Sequence, residues 1–130
     1  MLRKIAVASV LLTCLCSYSN AGDVIIMTIV KTNLPLNLIK VEVSGTLSLA
    51  TGEVYDGWTP SFLLPDGTTV RAATIDTFTA PTGGGPAQPC KFSTTITNAG
   101  ANQGDWTARS QLGWTNPTGF KLARKAFAIP

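Results

Sequence analysis

Histidine is absent from all 130 residues. Its absence removes the imidazole proton shuttle, the Ser-His and Cys-His nucleophile pairs, and the commonest metal ligand together. Charge is scarce as well. Lys, Arg, Asp and Glu make up 13% of the chain, about half the usual globular share. Hydrophobic residues make up 45%, so a packed core is expected and a disordered chain is not. No Lys/Arg cluster longer than two occurs, which leaves nucleic-acid binding by counterion release without support.

The N-terminus reads as an address. Arg3 and Lys4 precede an apolar run from Ile5 to Leu12, and Ser19-Asn20-Ala21 closes it with small residues at the two positions a signal peptidase reads. This is the pattern of a secretory signal peptide over residues 1–21. The apolar stretch to Cys16 is about twelve residues, short of the roughly 20 that a spanning helix needs. Lipid attachment at Cys14 or Cys16 is disfavoured by Thr13, where such sites carry Gly, Ala or Ser. Cleavage after Ala21 leaves 109 residues with eight Lys and Arg against seven Asp and Glu, a net charge of +1. It also leaves Cys90 alone in an oxidising compartment, where it is buried, free or paired with another chain.

Residues 22–130 read as one domain of strands joined by turns. Thr occurs seventeen times among them beside Val, Ile and aromatics, a composition that favours strands, and no long helical period is visible. From Ile39 to Ala50, apolar Ile39, Val41, Val43, Leu47 and Leu49 and small Gly45 alternate with polar Lys40, Glu42, Ser44, Thr46 and Ser48. One face is core and the other solvent. Val24 to Val30 is apolar on both faces, as expected of a strand covered on both sides or of one awaiting a partner. Further strands are expected near Val54–Tyr55, Trp58–Leu64, Thr68–Ile75, Lys91–Thr97, Trp106–Leu112 and Phe120–Ile129. Turns fall at Asp56-Gly57, Pro65-Asp66-Gly67, Asn98-Ala99-Gly100 and Asn116-Pro117. The Ala, Leu, Lys and Arg content of Phe120–Phe127 also suits a short helix, but Gly119 and Pro130 bracket it as a final strand. Ala80 to Pro89, with three prolines and three glycines, is expected to be a loop crossing between two sheets. The whole predicts an all-β, two-sheet antiparallel sandwich, with an immunoglobulin-like arrangement favoured although the Cys-Trp-Cys landmark is missing.

The titratable residues point away from turnover. Glu53 and Asp56 are the closest carboxylate pair, and a glycosidase would need two at roughly 5 to 9.5 Å, but Asp56 and Asp66 each precede a glycine, where turns place Asp for local hydrogen bonds. Asn98 to Asp105 is rich in oxygen but holds one carboxylate, too few for a calcium loop. No catalytic residue, metal site or cofactor is therefore expected. Aromatic residues offer a different possibility: Trp106 and Trp114, with Asp105 and Asn116 beside them, could stack on and bind a glycan if one uninterrupted strand carried both rings. Gly113 argues against such a strand, and Trp58 is the expected core tryptophan.

The favoured reading is assembly. An apolar mature N-terminal segment, Val24, Ile25, Ile26, Met27, Ile29 and Val30, resembles in kind the donor strand by which secreted pilus subunits complete a neighbour's sandwich. The likeness is to a mechanism over about ten residues and carries no family motif. It implies a secreted structural, adhesive or fibre-forming subunit at or beyond the cell envelope, whose partners are other copies of itself or a related extracellular protein. The alternatives are a carbohydrate-binding module and a secreted inhibitor using the Ala80–Pro89 loop.

Overall fold

The computed structural model describes residues 21–130, so the expected leader, apart from Ala21, lies outside the described residues. Among the described residues eight strands form: β1 Asp23–Leu34, β2 Leu38–Ser48, β3 Val54–Leu63, β4 Val70–Ala72, β5 Thr74–Thr77, β6 Gln88–Thr97, β7 Gly104–Thr115 and β8 Gly119–Ile129. A single 3-10 turn, Gly100–Asn102, lies between β6 and β7. Two antiparallel four-stranded sheets pack face to face, one in the order β1-β2-β6-β5 and the other β4-β3-β7-β8. The expected β-sandwich is what forms.

Alternation builds the core. On β2 the side chains of Ile39, Val41, Val43 and Leu47 are buried while Lys40, Glu42, Ser44, Thr46 and Ser48 are only partly so. On β7, Trp106, Ala108, Ser110, Leu112 and Trp114 all face inward. Between the sheets an aromatic chain runs from Trp58 to Phe92, at 5.9 Å between ring centroids, then to Phe62 at 5.5 Å, Phe127 at 6.0 Å and Trp106 at 6.2 Å. Edge-to-face and offset pairs of this kind add to area burial. The two indoles at the ends of this chain are satisfied: Trp58 Nε1 donates to Ser110 Oγ at 2.8 Å, and Trp106 Nε1 donates to the Asn102 carbonyl at 2.8 Å.

Four expectations need correction. Val54–Tyr55 and Trp58–Leu64 are one strand, because Asp56-Gly57 forms a bulge with Gly57 at φ 113°, not a chain-reversing turn. Thr68–Ile75 is two strands in opposite sheets, since the chain changes layer at Ala73 and lets β4 extend β3 while β5 extends β6. The Pro- and Gly-rich loop joins β5 to its neighbour β6 within one sheet, so it is no crossover, and Gln88 and Pro89 belong to β6. Gly113 does not interrupt β7, which pairs without irregularity from Gly104 to Trp114 with β8. The C-terminal segment is a strand, as its bracketing residues imply.

Candidate assembly surface

β1 is a sheet-edge strand paired with β2 from Asp23↔Ser48 to Leu34↔Leu38. Its inward residues, Val24, Ile26 and Ile29, belong to the core or pack against it. The register shifts between Ile26 and Thr28, so one extra residue is accommodated and the strand bends. Gly45 on β2 permits that bend: a Cβ there would collide with the Ile25 carbonyl oxygen. Ile25, Met27 and Val30 stand in solvent, 48%, 57% and 52% exposed. The apolar run is therefore core on one face and open on the other, not covered on both.

The neighbouring strand makes this patch distinct. Lys40, Glu42, Ser44, Thr46 and Ser48 give β2 a polar outer side, and the Glu42 carboxylate lies 3.9 Å from Lys40 Nζ and 3.4 Å from Lys91 Nζ. The other margin of β1 lies along β8, at the edge of the second sheet. Lys31 Nζ donates to the Ala128 carbonyl at 2.8 Å, and Lys121 Nζ donates to Asp23 Oδ1 at 2.5 Å. These contacts join early β1 to early β8 and late β1 to late β8, so the two strands run in the same direction along the seam.

The remaining candidate residues are dispersed. Trp106 and Trp114 do share one strand and one face, but it is the core face, where they are 0% and 6% exposed. Asp105 is exposed on the outer side, and Asn116 Nδ2 donates to the Gly52 carbonyl at 3.0 Å. Buried rings cannot stack on a pyranose, so these four residues do not form a platform.

Glu53 is buried, and its Oε1 accepts from the Ala50 amide at 2.8 Å within the turn, while Asp56 is exposed. Beside them burial raises the Tyr55 phenol above its ordinary value, with the Asp56 charge adding to the effect and a hydrogen bond to the Trp58 backbone opposing it. In the Asn98–Asp105 stretch, Asn102 Nδ2 donates to the Thr97 carbonyl at 3.0 Å, and Gln103 Nε2 donates to the Pro130 carbonyl at 3.2 Å. Cys90 is a free, buried thiol that desolvation pushes up to about 11, against a smaller opposing contribution from the Gly45 backbone. A thiol so held is protonated and poorly nucleophilic at neutral pH.

The long loop is anchored. Gly84 N donates to the Leu49 carbonyl at 3.0 Å, Gly85 N to the Thr82 carbonyl at 2.9 Å, and Gly83 lies against the Glu53 carbonyl too closely for a Cβ to fit. Strand pattern alone does not single out Arg109 and Arg124, which the fold brings side by side on the outer face of β7 and β8. The Asn116-Pro117 turn carries that signal, since in a two-strand hairpin residues equally distant from the turn become partners. No protein-family model, curated protein or solved structure matches this chain.

Proposed function

We propose that this protein is a secreted structural or adhesive subunit that acts by surface contact and not by turnover, with the outer face of β1 docking a second copy of the chain. The observation that carries the reading is the exposed apolar row Ile25, Met27 and Val30 on an edge strand beside a polar one. Edge strands are where chains pair with other chains, and soluble proteins ordinarily blunt them with charge or proline. Along its margin β1 does carry such protection, a bulge at Ile26/Thr28 and Lys31 held against β8, so the surface left open is its solvent-facing apolar row and not its hydrogen-bonding edge. A two-fold contact places the same row on both partners, and the net charge of +1 over residues 22–130 opposes their approach only weakly. Because Val24 is core and β1 is fully paired with β2, docking of β1 in place accords better with this packing than release of β1 into a neighbour. The strand order β1-β2-β6-β5 over β4-β3-β7-β8 supports an immunoglobulin-like reading of the sandwich. The basic and apolar sequence of residues 3–12 supports export.

Light scattering over a concentration series tests the contact. The protein expressed with its leader and collected after export is expected to self-associate, and the Ile25→Lys/Val30→Lys double variant to remain monomeric with an unchanged circular dichroism spectrum. A wild-type chain that stays monomeric throughout, or a variant that associates equally well, overturns the reading.

A further inference from the structure

The second sheet carries an unusual pair on its outer face. Arg109 on β7 and Arg124 on β8 are direct register partners, so their Cβ atoms are held roughly 4.5–5.5 Å apart, a placement in which like charges destabilise a sheet. Neither arginine forms an ion pair with another described residue. Both line a concavity of about 450 Å³ with Leu63, Val70, Thr68 and Thr107. No carboxylate is among its lining residues. The nearest acidic turn residue, Asp66, is engaged within its own turn: Oδ1 accepts from the amides of Thr68 at 2.9 Å and Thr69 at 2.8 Å, and Oδ2 accepts from Thr69 Oγ1 at 2.5 Å.

We propose that Arg109 and Arg124 form an anion-recognition site for a carboxylate or sulfate group carried on a sugar-sized body. Guanidinium forks match the planar geometry of a carboxylate and bind it through paired, charge-assisted hydrogen bonds. An anion between the two arginines also cancels the repulsion that their register imposes. Thr107 supplies a hydroxyl for a polyhydroxylated body, and Leu63 and Val70 supply an aliphatic wall for its apolar face. The volume lies within the range of small-molecule sites. The site is on β3, β4, β7 and β8 and on the turn before β4, in the sheet that does not contain β1. Its occupancy is therefore independent of the proposed self-association.

Backbone-amide NMR titrations at low salt, with D-glucuronate, glucose 6-sulfate and neutral glucose as probes, test the proposal on the wild-type chain and on Arg109→Gln and Arg124→Gln. Saturable shifts are expected around residues 107–109 and 124–126 with at least one anionic sugar, none with glucose, and at least tenfold weaker binding in either variant. A response to one anionic probe alone identifies whether carboxylate or sulfate is preferred. Failure of both anionic sugars to saturate, or unchanged affinity in both variants, overturns the proposal. Thermal melting without ligand adds a second readout: Arg124→Gln is expected to melt at or above the wild-type temperature, and a lower melting temperature would make Arg124 a structural residue instead.

Discussion

At the scale of single residues, several polar side chains in this protein serve backbone close to them in sequence. Asp66 is the clearest case, because three hydrogen bonds from Thr68 and Thr69 hold its carboxyl at about 2, against an ordinary value of 3.8. A carboxyl whose value is depressed on folding stabilises the folded state above its unfolded pKa, and that contribution is lost as pH falls through the folded value. The melting temperature of wild type is therefore expected to exceed that of Asp66→Ala at pH 5 to 6, with the gap narrowing below about pH 4 and closing near pH 2. The gap is small because the turn is exposed and solvent screens it. A gap independent of pH would assign the effect of the substitution to turn geometry, not to charge. Glu53 shows the same economy in a buried setting, since its carboxylate closes the Ala50–Glu53 turn.

At the scale of elements, β1 depends on one glycine of its neighbour. Gly45→Ala drives a methyl group into the Ile25 carbonyl, which the bulge can relieve only by shifting β1 away from β2. A loss of about 1–3 kcal/mol is expected, in the range for overpacked sites, with faster hydrogen exchange at the amides of Asp23–Leu34 than in β7. Uniform exchange across both sheets would show that β1 does not move separately. This bulge was not legible in the sequence, because it arises from how two strands cross and not from either strand's own pattern. The alternation of β2 was legible in full, since each buried position from Ile39 to Leu49 follows period two. The change of sheet at Ala73 was hidden for the reason that hid the β1 bulge: Thr68–Ile75 has continuous strand composition, and only the two partners, β3 and β6, divide it. The candidate site was legible in part. The apolar row of β1 could be read directly, whereas the opposition of Arg109 and Arg124 required the register of the last hairpin.

At the scale of the whole molecule, the three tryptophans report on one core. Trp58, Trp106 and Trp114 are all buried in the single cluster formed between the sheets. A sandwich built around one core is expected to unfold cooperatively, so tryptophan fluorescence and far-ultraviolet circular dichroism should give superimposable denaturant curves. Separate midpoints would mean that one sheet survives the loss of the other.

The same-direction course of β1 and β8 has a mechanical consequence. Asp23 lies beside Lys121, while Ala128 lies beside Lys31, so the start of β1 and the finish of β8 sit at opposite poles of the sandwich, roughly 40 Å apart for a strand of β1's length. Tension applied at those two points pulls along the strands. It loads the β1–β2 ladder in shear, with many hydrogen bonds resisting together, where a perpendicular pull would peel them apart one at a time. Pulled at those two ends, the sandwich is expected to resist at higher force than when pulled across its strands.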